Sequence, residues 1–118
     1  MIKPSDPRRL AIDLLSRSVC AIRVAAVIAD NRAGLGQSIF SWGWNNSGRD
    51  GYGEHAEMAA VRRANKRRLV GSAIYIAAKR GGIITAKPCS NCQRALRGYG
   101  LRWMVWRDQE GWHTEEIN

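Results

Sequence analysis

The chain has 118 residues, 45% of them hydrophobic and 25% charged, a size and balance that fill one compact domain spanning 1–118 and leave no room for a second core. No run of 18 apolar residues occurs, and MIKPSDPRRL puts proline and charge where a signal peptide needs an apolar stretch, so the expectation is a cytoplasmic chain with no membrane partner. Nineteen Lys and Arg against ten Asp and Glu give +9, which points to an anionic partner, either nucleic acid or a phosphorylated small molecule.

Asp6-Pro7 followed by RRLAIDLL predicts a helix with Ser5 or Asp6 as N-cap, Pro7 in the first turn and Leu14 and Leu15 on a buried face. Ala21 to Ala29 is a Val- and Ile-rich run that predicts a buried strand. A turn follows from Asp30 to Gly36. Gln37 to Trp44 predicts a second strand, with Phe40, Trp42 and Trp44 on one face by period two, pairing with the first as a hairpin. Asn45 to Gly53 reads as a loop, and His55 to Arg68 as a helix whose Ala60, Val61 and Ala64 continue the face begun by Glu57. Gly71 ends it. Ala73 to Ala78 is the next strand, turned by Lys79-Arg80-Gly81-Gly82 toward a short return at Ile83 to Ala86. Pro88-Cys89 opens a helix to about Gly98, and Leu101 to Trp106 is a further strand. The alternation implies helices on both faces of a mixed α/β sheet of four to five strands, a three-layer α-β-α arrangement.

The charge excess has an address. From Met58 to Arg107 there is no Asp or Glu, while twelve Lys and Arg fall there, so the rest of the chain is slightly acidic. Arg62, Arg63, Lys66 and Arg67 sit at helical neighbour spacing and predict a basic outer face. Solvation of a helix face explains such a run as readily as a polyanion does.

Cys89 and Cys92 stand three residues apart at a predicted helix start, which brings both sulfurs within reach of one metal ion and favours their thiolates. Tetrahedral zinc needs a further ligand, and His55 is the candidate because the other histidine, His113, lies in the C-terminal tail. His55-Ala56-Glu57 opens the preceding helix, so imidazole and carboxylate project from one end. Three protein ligands leave a fourth position for water, as in catalytic zinc sites, with Glu57 free to carry protons. Alone, Cys-x-x-Cys reads equally as a redox pair or half of a structural zinc site, and His-Ala-Glu as an ordinary first turn. The remaining Cys20 reads as a small core residue, with no disulfide, in keeping with a reducing compartment.

Taken together, His-x-Glu and Pro-Cys-x-x-Cys form the signature of zinc-dependent nucleobase deaminases, and from His55 through Cys92 the chain closely resembles the cytidine deaminase superfamily. That resemblance implies zinc on His55, Cys89 and Cys92, activated water attacking C4 of cytosine or C6 of adenine, and Glu57 shuttling protons. It implies Trp44, Asn45, Ala56 and Pro88 as substrate contacts; the loop after the third strand adds Lys79 and Arg80 as candidates for a nucleic-acid backbone. His55 in place of a third cysteine resembles deoxycytidylate, tRNA-adenosine and polynucleotide deaminases, and Gly48-Arg49-Asp50 resembles the tRNA-adenosine loop. Yet the twelve residues after Trp106 are too few for a crossover helix and a parallel strand, so a last strand must return as an antiparallel C-terminal hairpin at Asp108 to Gly111, as in the free-nucleoside group. The leading expectation is cytosine deamination in single-stranded DNA or RNA, with the tryptophans as possible stacking platforms. The alternatives are free cytidine, deoxycytidine or their monophosphates and, as a minor option, adenosine in RNA. Monomer and homo-oligomer both fit.

Overall fold

Asp6 and Pro7 start the first helix as their chemistry requires: the Asp6 carboxylate accepts from Arg8 N at 2.9 Å, and proline occupies a position whose N–H has no helical partner. A computed structural model describes residues 6–30, 38–46 and 54–117, and this helix, α1, spans Pro7–Leu14. The strands are β1 (Arg23–Ala29), β2 (Ile39–Trp44), β3 (Ala73–Arg80), β4 (Gly82–Ile84), β5 (Trp103–Asp108) and β6 (Gly111–Glu116). The remaining helices are α2 (Ala56–Arg63) and α3 (Ser90–Gly98). The predicted turn after Asp30 and the loop carrying Gly48-Arg49-Asp50 fall, over 31–37 and 47–53, outside the described residues.

The sheet runs β2-β1-β3-β5-β6, with β4 folded back on β3. Among the described residues, β3–β5 is the one parallel pair; α3 lies in the connection between them, as a parallel crossover requires. β5 and β6 form the expected antiparallel hairpin, whose turn is closed by the Asp108 carboxylate accepting from Glu110 N at 2.8 Å.

Period-two alternation divides the strand residues between two cores. Ala26, Ile28, Ile74, Ile76 and Met104 face α2 and α3, whereas Ala25, Val27, Tyr75, Ala77 and Val105 face α1 through Ala11, Leu14 and Leu15. Many of these contacts are alanine, so the layers lie close. Gly43 of β2 carries this furthest: a Cβ there would stand 2.7 Å from Ala59 Cβ and 2.7 Å from Ala60 N of α2. Beside it, Ser41 Oγ donates to Ala60 O at 2.6 Å, fixing the same helix to the same strand.

Two sequence expectations change. Phe40 does not share a face with Trp42 and Trp44, because a bulge at Ile28/Ala29 shifts the register and turns Phe40 toward the α2 core while both tryptophans stay on the α1 side. The helix from His55 does not run to Arg68. It stops at Arg63, Ala64 turns extended, and Asn65 caps a separate 3-10 turn, Lys66–Leu69, by accepting from Arg67 N at 3.0 Å. Lys66 Nζ holds the break by donating to Arg62 O (3.1 Å) and Ala64 O (2.8 Å).

The sequence charge segregation is partly cancelled in space. Arg62, Arg68, Lys87 and Arg102 pair with Glu54, Asp30, Glu115 and Glu116, all acids from outside the acid-free segment. Among the described residues, no helix is long and apolar enough to cross a membrane.

Candidate active site

The start of β1 and the end of β3 lie side by side, with Val24 directly opposite Ala78 on the face that carries α2 and α3. Over this edge the two helices present their N-termini. His55 is the N-cap residue of α2 and Cys89 that of α3, both with extended backbone. The approach to α3 is held straight by Ala86 N donating to Arg107 O (2.8 Å) and by Gln93 Nε2 reaching back to Pro88 O (2.8 Å). A cavity of about 390 Å³ results, into which His55, Glu57, Cys89 and Cys92 all project. Its size suits a nucleoside-sized ligand.

Sequence reasoning also placed Asn45, Ala56 and Pro88 here, and all three line the cavity. Asn45 is largely committed elsewhere: its Oδ1 accepts from Ser18 Oγ (2.7 Å) and Val24 N (3.0 Å), and its Nδ2 donates to Ile22 O (2.8 Å). One Nδ2–H remains for a ligand. Trp44, Lys79 and Arg80 are not among the described lining residues. Trp44 pairs with Ala25 on the α1 side, where the Arg63 guanidinium covers its ring at 4.8 Å. Since Ala78 faces the cavity, Lys79 faces away, and Arg80 lies at the strand end beyond it. The lining residues that sequence reasoning missed, Val24, Ala78, Ile84 and Lys87 among them, are strand ends and a hairpin return whose juxtaposition is set by β-register. Of the tryptophans, Trp106 is buried and stacked on His113 at 4.4 Å, whereas Trp42 is exposed.

His55 Nδ1 lies 3.4 Å from Cys92 Sγ. Two ligands of a tetrahedral zinc, at about 2.05 Å for nitrogen and 2.3 Å for sulfur, stand about 3.5 Å apart, so this pair is at ligand spacing. The Cys89 thiol is lowered because the Cys92 N–H and thiol, and the Asn91 N–H, hydrogen-bond its sulfur. The Cys92 thiol is pushed up to about 12, first by burial and then by the Glu57 carboxylate. Glu57 is itself buried and makes no ion pair among the described residues. An imidazole, a carboxylate and two thiols brought into one cavity are a donor set that suits a soft dication. Three acceptors of metal type, Asp108, Glu110 and His113, also cluster on the β5–β6 turn. Asp108 is already used there, accepting from Glu110 N and standing 2.9 Å from His113 Nε2, which holds its carboxyl below the usual range.

Residues 5–107 match the family model of the cytidine and deoxycytidylate deaminase zinc-binding region. No curated protein sequence gives a match. Among solved structures the chain is similar to the crystal structure of cytidine deaminase from Mycobacterium leprae, with a TM-score of 0.61 and 16% identity over 97% of this chain and 94% of that one. At that identity the likeness speaks for the fold.

Proposed function

The chain belongs to the zinc-dependent cytidine and deoxycytidylate deaminases, and on that premise we propose that it deaminates cytosine within single-stranded nucleic acid, with zinc on His55, Cys89 and Cys92 and protons carried by Glu57. The observation that carries the site assignment is the convergence of these four side chains, from two helix N-termini, on one cavity. Bound there, zinc lowers the pKa of water toward neutrality and so supplies the nucleophile.

The chain's own residues do the rest. The Cys89 sulfur is held by the first N–H groups of α3, which stabilise its thiolate form. The Glu57 carboxylate, shielded from bulk water, takes a proton from the attacking water and places it on ring N3. The water's second proton leaves with the exocyclic amine, so cytosine and water become uracil and ammonia. Val24, Ala78 and Ile84 supply an apolar wall for the base, and Asn45 Nδ2 and Thr85 Oγ1 are donors in the lining.

The single-strand reading is supported by the cations left over. Of the twelve basic residues in the acid-free segment, Arg63, Lys66, Arg67, Lys79, Arg80, Arg94, Arg97 and Arg107 have no ion pair among the described residues, and Arg94 and Arg97 sit on the helix that begins at Cys89. The nucleoside or nucleotide reading has its own support in the nucleoside-sized cavity, which, among the described Lys and Arg residues, Lys87 alone lines. Incubation with a cytosine-containing single strand, its duplex, deoxycytidine and deoxycytidylate separates them. Uracil in the single strand, with binding that weakens steeply as salt rises, supports the first. Turnover of only the monomers refutes it.

A further inference from the structure

We propose that Arg23, Lys79 and Arg107 form a binding site for a phosphoryl anion on the face of the sheet opposite the catalytic cavity. This does not depend on which cytosine substrate the enzyme takes. Arg23 and Lys79 are directly opposed in the β1–β3 ladder. Like charges in that position repel and weaken a sheet unless something lies between them. On β5, Trp106 pairs with Ile76, so the next residue, Arg107, falls beside Ala77 on the same face as Lys79. Three cations from three adjacent strands therefore converge.

They line a cavity of about 400 Å³ together with Ser16 from the turn after α1 and with Gly81 and Gly82 of the β3–β4 turn. Among the described residues, no Asp or Glu lines it and none of the three cations has an ion pair. Arg107 Nε is buried without a hydrogen-bond partner, and burial lowers the pKa of its guanidinium. A buried charged donor of this kind is costly unless a ligand meets it. Two guanidinium forks and an ammonium match the several oxygens of a phosphoryl group, and the cavity exceeds one phosphate by enough to admit the sugar attached to it. Alternation along the strands puts this cavity back to back with the catalytic one, since Val24 and Ala78 line the first while their neighbours Arg23 and Lys79 line the second. The phosphoryl group could belong to a free phosphate or nucleotide, or to the backbone of a bound strand.

The test uses the zinc-loaded full chain, wild type, Lys79→Gln and Arg23→Gln, with thermal unfolding followed in inorganic phosphate and in chloride of equal ionic strength. A dissociation constant on the order of 1 mM would make about 10 mM phosphate favour the folded state roughly elevenfold, a rise in Tm of about 5 °C for a domain of this size. Both variants should lose that rise. In phosphate-free, low-salt buffer they should be at least as stable as wild type, because a repulsion has been removed, whereas a purely structural cluster would leave them less stable. Labelled oligothymidylate, which offers no cytosine, then identifies the source. Binding that phosphate competes away and that both variants weaken assigns the site to a strand backbone; a phosphate effect with no influence on oligothymidylate assigns it to free anions. Equal Tm changes in phosphate and chloride, or a rise retained in both variants, would overturn the proposal.

Discussion

Replacing Gly43 by alanine tests whether the close approach of β2 to α2 sets the catalytic geometry. The added Cβ would meet Ala59 Cβ at 2.7 Å, Ala60 N at 2.7 Å and Ala59 C at 2.9 Å. Non-bonded carbons rest at about 3.5–4.0 Å, so α2 must retreat from the sheet by roughly 1 Å. None of the three contacts is a flexible side-chain end that could swing aside. Overpacking of this kind costs about 1–3 kcal/mol, a fall in Tm of about 4–12 °C in a domain this size. Because α2 carries His55 at its N-cap and Glu57 in its first turn, the same displacement moves two of the four site groups. A shift of about 1 Å at reacting groups can lower turnover roughly 100-fold. The assay pairs Tm with kcat on deoxycytidine and on a cytosine-containing strand, well below the variant's Tm. Leu14→Ala, in the α1 core, is the control: it should cost about 2–5 kcal/mol and leave kcat unchanged in the folded fraction. Adding Ala59→Gly to Gly43→Ala should restore only part of the activity, because the contact with Ala60 N remains and a helical glycine costs about 1 kcal/mol. Wild-type Tm and kcat in Gly43→Ala, or an equal kcat loss in Leu14→Ala, would refute the reasoning.

Glu57→Gln should keep its zinc, measured by metal analysis, and lose turnover by at least about 100-fold, since it removes the proton carrier and no proposed ligand; a fully active variant would sink that assignment. Cys89→Ala and Cys92→Ala should each release the metal, and a strong chelator should abolish wild-type activity until zinc is returned. Asn45→Ala leaves Val24 N–H and Ile22 O without their side-chain partner and should cost about 2–3 kcal/mol by denaturant unfolding, with loss of protection in early β1; a change below about 0.5 kcal/mol would show those bonds to be replaceable by water. At the β5–β6 turn, His113 and the Glu110 and Gly111 N–H groups hold the Asp108 carboxyl below its ordinary 3.8. A depressed carboxylate pKa contributes stability that is present above the unfolded value and is lost as pH falls through the folded one. The Tm difference between wild type and Asp108→Asn should therefore be present at about pH 4.5 and fade progressively as pH falls below 3.8; a difference undiminished in strong acid would contradict it.

The residues legible in the sequence are those whose chemistry is local. Asp6-Pro7 specified a helix start by capping, and Cys89, Cys92, His55 and Glu57 stood out as candidates because each pair belongs to one helical turn. The antiparallel return expected for the last strand is the β5–β6 hairpin. What stayed illegible depends on partners distant in sequence. The bulge that turns Phe40 away from Trp42 is a property of the β1–β2 register. The stop at Arg63 was hidden because Ala64 prolongs the apolar helical pattern, whereas the break is held by the Asn65 cap and the Lys66 ammonium. Lys79, read from sequence as a loop residue that could meet a nucleic-acid backbone, belongs instead to β3, and alternation past Ala78 turns it to the face opposite the catalytic cavity. Charge counted along the chain likewise overstated the basic surface, since Glu54, Asp30, Glu115 and Glu116 come from outside the counted segment.

The strand β3 lies between the two connections that bear the site: His55 precedes it on α2, and the cysteines follow it on α3. Closing His55 onto Cys92 spans 37 residues, which in a flexible chain costs about 3 kcal/mol of loop entropy, while the two cysteines need close only a single turn. On the proposed ligand set, an unfolded chain can therefore carry zinc cheaply on its cysteine pair, and the histidine joins only once β3 is in place beneath both helices. Metal coordination would then act as a late latch on the folding reaction, closed by the docking of the central strand.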